Sequence, residues 1–413
     1  MLRPVAYSVL VLCAALGATT GFAAAGDRAP GTRIEVRLGD LPAPFATKSV
    51  PNPAHIIRAP AGAMPQLPRG FQVNIFAETL SDARWLAVAP NGDVFLTQPS
   101  EGRVTLLRDS KGEGKADLVT TFADGFNEPH GLAFRPGYLY VADIDKVWRI
   151  PYEPGQTKAA AKPEPLTAAG ALGDGTGHWT RNIAFAPDGK SFFVTVGSAS
   201  NINEDPPPRA TVQQFDLDGK PLGTFASGLR NPVGISFYPG TNDLYVVVNE
   251  RDTLGDGLVP DYLTRLQKGG FYGWPYSYLG NHPQPGFAEK RPDLVVKAIV
   301  PDLLFESHSA PLGLVFYDGT QFPKDYKGDA FVALHGSWNA AAPRGYMVAR
   351  VPFRDERPQG YYEAFMTGFW ASGTNNAEVW GRPVGLAVAS NGSLLVADDV
   401  GEKIWRISYK PGP

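Results

Sequence analysis

The chain has 413 residues, of which 43% are hydrophobic and 19% are charged, and its formal net charge is −3. This length and hydrophobic content are enough to bury a sizeable core in one large domain of about 340 residues. The small net charge, with no lysine- or arginine-rich run and no phosphate-binding glycine loop, argues against nucleic-acid and nucleotide binding.

The first 25 residues predict a secretory signal peptide. Met1-Leu2-Arg3 precedes the apolar run Val5–Gly17 and the small residues Ala23–Ala25, and this run is shorter than the roughly 20 apolar residues of a membrane span. The single cysteine, Cys13, lies within the run, so the mature chain is expected to have no disulfide, thiolate metal site or haem attachment. We therefore expect a periplasmic or secreted protein with no membrane span in its mature form.

Residues 26–68 are rich in proline and alanine and contain no repeat. They predict an extended N-terminal arm that is laid over the main domain or is partly disordered. A β-rich segment, Gly70–Glu78, follows and opens the main domain, which we assign to residues 69–413.

A short apolar run with one recurring pattern occurs six times in this domain. The copies are Trp85–Gly92, Gly131–Gly137, Asn182–Gly189, Gly234–Gly240, Gly313–Gly319 and Gly385–Gly392. Each copy predicts a strand that ends in a tight hairpin turn. A second β-rich run follows each turn, at Asp93–Gln98, Tyr138–Asp143, Ser191–Gly197, Asp243–Asn249, Asp329–Leu334 and Ser393–Asp398. Third strands are predicted at Lys146–Ile150, Gly345–Val351 and Lys403–Ile407.

Units of roughly fifty residues with four short strands are typical of propeller blades. The sequence therefore predicts an all-β fold, a six-bladed β-propeller. A pair of β-sandwiches is the alternative, but it does not explain why the same turn follows the same strand six times. In a propeller, Gly70–Glu78 is expected to pair with the C-terminal strands and close the ring.

The residues just before each repeated strand form a second pattern. In a propeller these positions surround one end of the central channel, and here they hold four arginines and three histidines. They are Arg84, His130, His178, Arg181, Arg230, His308 and Arg382, accompanied by Asn231 and Ser309. Cationic side chains held this close repel one another unless an anion compensates them. The set predicts an anionic ligand at the axis, whereas loop capping remains the alternative for any one residue.

Six segments in a fixed order suggest a family. They are Gly177–Arg181, Ala186–Lys190, Val194–Ser198, Gly228–Pro232, Asn249–Asp252 and Gly269–Pro275. Together they resemble the soluble pyrroloquinoline-quinone (PQQ)-dependent glucose/sorbosone dehydrogenases, especially the L-sorbosone dehydrogenase-like branch. The resemblance extends from Phe71 to Tyr409. It implies a six-bladed propeller that binds PQQ and Ca2+, oxidises an aldose or aldehyde sugar, and passes electrons to a separate acceptor.

The resemblance also implies residue roles. His178 matches the catalytic histidine, Arg230 and Asn231 match a cofactor-contacting pair in which Arg230 also assists catalysis, and Arg382 matches one of two arginines that hold cofactor carboxylates. Three family positions differ. Trp380 replaces the other arginine, Val233 replaces a glutamine, and the family's cofactor-binding lysine, which would fall near His335–Asn339, is missing from this chain. Arg181 and Arg84 are the candidates to compensate, and His335 and Trp338 are candidate pocket residues.

The family's calcium ion is held partly by backbone carbonyls in the loop that corresponds to Arg251-Asp252, and the carboxylates of Asp252 and Asp256 are further candidate ligands. His130 and Trp179 are candidate sugar contacts. Two other functions stay open. A calcium-dependent hydrolase of the lactonase type needs axial carboxylates, and only Asp82 and Glu128 precede the inner strands. A non-catalytic propeller would bind a carbohydrate or protein partner.

Overall fold

A computed structural model describes residues 28–411, so the predicted signal peptide, residues 1–25, lies outside the described residues. The described chain is nearly all β. Its few helical turns are Leu38–Asp40, Pro99–Glu101, Ala288–Lys290, Pro292–Val295 and Lys324–Tyr326. None of the helices between residues 28 and 411 has the length and hydropathy needed to cross a bilayer.

Six of the nine sheets formed by residues 28–411 contain four or five strands, and we number these sheets 1 to 6 in chain order. Sheet 1 contains Leu86–Val88, Val94–Gln98, Arg103–Arg108 and Leu118–Asp124. Sheet 2 contains Gly131–Arg135, Tyr138–Ala142, Val147–Pro151 and Glu164–Pro165. Sheet 3 contains Ile183–Phe185, Ser191–Val196, Thr211–Asp216, Pro221–Ser227 and the parallel strand Gly270–Phe271.

Of the remaining large sheets, sheets 5 and 6 each include one strand from the N-terminal part of the described chain. Sheet 4 contains Asn231–Phe237, Leu244–Asn249, Pro260–Arg265 and Leu303–Ser307. Sheet 5 contains Pro311–Phe316, Ala330–Leu334, Met347–Val351, Tyr362–Met366 and Arg33–Ile34. Sheet 6 contains Pro383–Val388, Leu394–Asp398, Lys403–Tyr409 and Phe71–Glu78. The predicted pairing of the early strand with the C-terminal strand is confirmed, because Phe71–Glu78 runs antiparallel to Lys403–Tyr409.

The other three sheets are small, with two or three strands each. They are His55–Ile56 with Glu378–Val379 and Trp370–Ser372, Ser277–Tyr278 with His282–Pro283, and Phe353–Arg354 with Arg357–Pro358. The N-terminal arm takes part in two of the nine sheets, since Arg33–Ile34 extends sheet 5 and His55–Ile56 pairs in parallel with Glu378–Val379. The described part of the arm therefore lies against the main domain.

The hydrophobic core consists of clusters between successive large sheets. Representative pairs, taken in order around the molecule, are Phe95 with Leu139, Ala142 with Val194, Val212 with Val246, Val247 with Val332, Val348 with Val396, and Leu395 with Leu96. Because sheet 6 packs on sheet 1, the order is closed. Burying apolar side chains on both sides of every large sheet supplies most of the favourable free energy of folding. This arrangement is consistent with a β-propeller.

The repeated glycine at the start of four inner strands is explained by close packing. A Cβ atom at Gly313 would lie 2.1 Å from the carbonyl oxygen of Val384, and one at Gly385 would lie 2.4 Å from that of Arg84. Gly131 and Gly234 meet the backbone of the next inner strand in the same way. The glycines therefore let neighbouring first strands approach at the centre.

Candidate functional site

The predicted site residues lie at one end of the sheets. In each large sheet the first two strands form a hairpin, so the start of the first strand and the end of the second strand share the end opposite the turn. Backbone hydrogen bonds show this: Arg84 N–H donates to Thr97 O, His130 N–H to Ala142 O, and His178 N–H to Ser198 O. We call this end, which holds Arg84, His130, His178, Arg230 and Arg382, the mouth. A depression of about 400 Å³ at the turn end is lined by other residues, such as Leu86, Phe237 and Phe316.

His178 has a defined orientation at the mouth. Its Nδ1 lies 2.9 Å from the carbonyl oxygen of Ser198, so this nitrogen carries the proton and donates it, and Nε2 keeps its lone pair. Burial, and then the nearby positive charge of Arg230, lower the pKa of His178 from 6.5 to about 3. The imidazole is therefore neutral at ordinary pH, and its Nε2 can accept a proton.

Arg230 is fixed beside His178 by loops that follow the second strands of sheets 3 and 4. Its Nη1 donates to the carbonyl oxygen of Glu250 at 2.7 Å, and its Nη2 donates to Oδ1 of Asn201 at 2.9 Å. Its Nη2 also lies 3.7 Å from Oδ2 of Asp252. Burial lowers the pKa of Arg230 below its ordinary value, and Asp252 and Glu250 oppose that shift. The guanidinium is a preorganised cation next to His178.

Asn231 and His178 approach each other across Gly197. A Cβ atom at Gly197 would lie 2.5 Å from both the Oδ1 of Asn231 and the Cβ of His178. The Oδ1 of Asn231 is buried and has no protein partner. A buried acceptor without a partner is costly unless a ligand or water donates to it.

A second cluster occupies the opposite part of the mouth, where sheets 1, 5 and 6 meet. Arg84 Nη1 donates to Asp399 Oδ2 at 2.6 Å, and His335 Nε2 lies 2.9 Å from the same oxygen. Arg382 donates from Nε to His335 O at 2.8 Å and from Nη2 to Gly336 O at 2.9 Å. We call Arg84, His335, Arg382 and Asp399 the carboxylate cluster. The Nε of Arg84 is buried without a protein partner.

The charges within the carboxylate cluster can be assigned. Burial, and then Arg382, lower the pKa of His335 from 6.5 to about 4 despite the opposing effect of Asp399. Burial alone would raise the pKa of Asp399, but His335, Arg84 and Arg382 hold it well below its usual value. The cluster therefore contains two guanidinium cations and one carboxylate, which leaves it net positive.

Aromatic rings connect the two parts of the mouth. Trp179, next to His178, has its ring 5.1 Å from the guanidinium of Arg84 and 5.4 Å from the ring of His130. His130 is fully buried, and its Nδ1 lies 3.3 Å from Asn182 Oδ1 while its Nε2 has no protein partner. Burial, and then Arg84, lower the pKa of His130 well below 6.5. The two predicted sugar contacts thus meet edge to face, with an angle of 77° between their rings.

The chain matches the TrAA12-like family model over residues 65–259 and 294–410, which is more than half of its length. The chain belongs to the TrAA12-like family. It is 28% identical over 356 residues to an uncharacterized protein of Borreliella burgdorferi, covering 84% of this chain and 91% of that one. It is 25% identical over 417 residues to the PQQ-dependent pyranose dehydrogenase of Coprinopsis cinerea, covering 83% of this chain and 54% of that protein. The chain therefore spans about half the length of this second relative.

Solved structures support the fold. The holo form of the pyranose dehydrogenase PQQ domain from Coprinopsis cinerea has a TM-score of 0.69 at 21% identity, covering 86% of this chain and 98% of that chain. The calcium structure of the Trichoderma reesei family AA12 enzyme has a TM-score of 0.66 at 18% identity, covering 89% of this chain and 100% of that chain. The PQQ-bound aldose sugar dehydrogenase from Streptomyces coelicolor has a TM-score of 0.59 at 18% identity, covering 83% of this chain and 99% of that chain. The family resemblance found in the sequence is confirmed.

In this TrAA12-like chain the predicted calcium loop is held by protein contacts. Asp252 Oδ1 accepts from Asn339 Nδ2 at 2.9 Å and lies 3.2 Å from His308 Nδ1. Asp256 Oδ2 accepts from Arg344 at 2.5 Å, and the Nε of Arg251 donates to the carbonyl oxygen of Asp252. Between residues 28 and 411, no group of three or more histidine and carboxylate side chains is arranged to hold a metal ion. The calcium ligands stay a prediction, with backbone carbonyls as the remaining donors.

Two other predicted cofactor contacts lie away from these clusters. Arg181 is fully buried, and its guanidinium donates to the carbonyl oxygens of Leu172, His178 and Thr180. Trp338 lies in the loop after the second strand of sheet 5 and is 52% exposed. Its carbonyl oxygen accepts from the backbone N–H of Asn52 in the arm. Their contact with a cofactor stays a prediction.

The sequence assigned no role to Asp399, Asn201 or Ser198, although Ser198 ends one of the family segments. Each follows the end of a second strand, and each fixes a predicted residue: Asp399 fixes Arg84 and His335, Asn201 fixes Arg230, and Ser198 fixes His178. The signal that could have found them is their position, because the ends of the second strands share the mouth with the starts of the first strands.

Proposed function

We propose that this protein is a PQQ-dependent dehydrogenase that oxidises an aldose or aldehyde sugar, of the sorbosone kind, and passes the electrons to a separate acceptor. Family membership and the names of the similar proteins support this choice. The proposal includes a six-bladed β-propeller at residues 69–413, an arm at residues 26–68, and export to the periplasm or medium by a signal peptide at residues 1–25.

The observation that supports the proposal best is the tautomer of His178. The carbonyl oxygen of Ser198 accepts a hydrogen bond from Nδ1–H of His178, so Nε2 is an acceptor at the mouth. With a pKa near 3, the imidazole is neutral across the ordinary pH range. A positioned base of this kind can remove the proton of a substrate hydroxyl or aldehyde hydrate.

The mouth fits an anionic quinone with several carboxylates. Arg84, Arg382 and Arg230 supply fixed cations, and the Nε of Arg84 and the Oδ1 of Asn231 are buried without protein partners. Bound PQQ would supply an ortho-quinone that accepts a hydride from a substrate carbon, and His178 would take the proton of the hydroxyl group on that carbon. Arg230 would stabilise the negative charge that develops on the quinone oxygens.

The other residues have supporting roles in this proposal. Arg84 and Arg382 would hold carboxylates, with His335 and Asp399 fixing both guanidinium groups. Trp179 and His130 would form one wall of the sugar site. A calcium ion in the Arg251-Asp252 loop would bind mainly through backbone carbonyls and offset cofactor charge.

The test is reconstitution. The apo-protein is mixed with PQQ and Ca2+, and dye reduction is followed over a panel of aldoses, aldehydes and lactones. We expect dye reduction that requires PQQ and is lost in His178→Ala by about a thousandfold. His282→Ala is the matched control. The Nδ1 of His282 also bonds a backbone carbonyl oxygen, that of Leu279, but His282 lies in the small hairpin that follows the last strand of sheet 3.

Three results would contradict the proposal. Lactone turnover without PQQ would favour the hydrolase alternative. PQQ binding without dye reduction by any sugar would favour a binding protein. Full activity in His178→Ala would remove the proposed base.

A further inference from the structure

Two arginines lie buried beneath the loop that carries His178. Arg181 is 0% exposed and Arg209 is 6% exposed. Both contact the segment 172–177: Arg181 Nε donates to Leu172 O at 3.1 Å, and Arg209 Nη2 donates to Thr176 Oγ1 at 3.3 Å. Two positive side chains therefore meet the same short glycine-rich segment from within the fold.

The two guanidinium groups have donors that no protein atom uses. The Nη2 of Arg181 and the Nε and Nη1 of Arg209 are buried without a hydrogen-bond partner. Burial, and then the charge of Arg209, lower the pKa of Arg181 to about 9. Buried donors on like charges are costly when they lack an acceptor or a counter-charge.

The nearby carboxylates supply only part of that counter-charge. Asp174 forms a long ion pair with Arg209, with 3.7 Å between its Oδ1 and Arg209 Nη2, and the side chain of Asp174 is 73% exposed. Asp205 accepts hydrogen bonds from Ala199 and Ser200 instead. Among residues 28–411, Arg181 forms no ion pair with a carboxylate, although several carboxylates act on it at longer range.

We propose that a small inorganic anion of about the size of chloride binds between Arg181 and Arg209, beneath segment 172–177. It would accept hydrogen bonds from the three unused donors and neutralise part of the paired charge. Because both side chains are almost fully buried, the site favours a monatomic anion over phosphate or an organic acid. Arg181 Nη1 also donates to His178 O at 2.9 Å, so the anion would fix the backbone beside His178.

The experiment compares chloride with gluconate in apo-protein, without quinone or sugar. The thermal unfolding midpoint is measured while chloride replaces gluconate at constant ionic strength. We expect a saturable rise of a few degrees in the native protein and no rise in Arg209→Met. Arg108→Met is the control, because Arg108 pairs with Asp93 in sheet 1 and has no connection to segment 172–177.

Crystals grown in bromide give a second measurement that does not depend on a folded variant. We expect an anomalous peak within hydrogen-bond distance of both Arg181 and Arg209. Equal midpoints in chloride and gluconate would overturn the proposal, as would a chloride response that persists in Arg209→Met. A bromide peak without a solution response would show an adventitious ion only and would also overturn it.

Discussion

The two halves of the mouth each contain a partly buried histidine, but the histidines have different partners. His178 donates from Nδ1 to a neutral backbone carbonyl, that of Ser198. His335 instead directs Nε2 at the carboxylate of Asp399, which also accepts from Arg84. Burial lowers the pKa of both, to about 3 and about 4.

This difference shows that a low histidine pKa does not by itself identify a base. His178 donates from Nδ1 to the backbone, and its Nε2 has no hydrogen-bond partner among residues 28–411, so the Nε2 lone pair is available to accept a proton. His335 belongs to a network that fixes two guanidinium groups around one carboxylate. Burial neutralises both rings, but their hydrogen-bond partners decide what each can do.

The largest expected effect separates the two histidines in catalysis. In the reconstituted enzyme, His178→Gln should lower kcat by about a thousandfold, because the proton acceptor is lost. His335→Gln should weaken PQQ binding by about tenfold, the cost of one altered hydrogen bond of roughly 1.4 kcal/mol, and change kcat far less. Stopped-flow turnover and PQQ titration measure the two effects. Equal losses of kcat in both variants would remove the distinction.

Asp399 provides the next largest effect. Asp399→Asn leaves Arg84 buried without its counter-charge, so the free energy of unfolding should fall by about 3 kcal/mol. Urea unfolding of the apo-protein measures this loss. Asp293→Asn is the control, since Asp293 pairs with Arg291 at the surface and should change stability by less than about 1 kcal/mol. Similar losses in the two variants would show that the carboxylate cluster is no more than a surface ion pair.

The fold was largely predictable because the same local pattern, an apolar strand that ends in a tight turn, occurs six times in the sequence. Alternating apolar residues and a closing turn predicted the second strands to within a residue, as at Ser191–Val196 and Leu394–Asp398. The two-residue strand Arg33–Ile34 was not predicted, because so short an edge strand has no periodicity. Its place in sheet 5 depends on contacts with Tyr362 and Glu363, which lie far along the chain.

The site was predictable only where position relative to the repeat decides it. His178, Arg230 and Arg382 precede inner strands, and this position placed them at the mouth. Asp399 could not be paired with Arg84 from sequence, because 315 residues separate them. The burial of Arg181 beneath the His178 loop depends on the path of segment 172–177, which no pattern in the sequence specifies.

His178 and His335 should contribute similarly to the pH dependence of the free energy of unfolding. Both folded pKa values lie below 6.5, so the stabilisation is complete above pH 6.5 and is lost as pH falls toward 4 and 3. Each histidine should add a slope of about 1.4 kcal/mol per pH unit between pH 6 and 4.5. His178→Gln and His335→Gln should each reduce the measured slope of unfolding free energy by about that amount. A slope unchanged in either variant would show that the histidine concerned is not held neutral.

The smallest effect concerns the contact that connects the two halves. Arg84→Lys keeps the charge beside Asp399 but loses the planar group that lies 5.1 Å from the Trp179 ring. We expect the free energy of unfolding to fall by about 1 kcal/mol, with little change in kcat. Arg149→Lys is a matched control, since Arg149 also combines an ion pair, with Glu164, and an aromatic neighbour, Tyr138, but lies near the surface. If Arg149→Lys costs as much as Arg84→Lys, burial at the mouth adds nothing to the contact between Arg84 and the Trp179 ring.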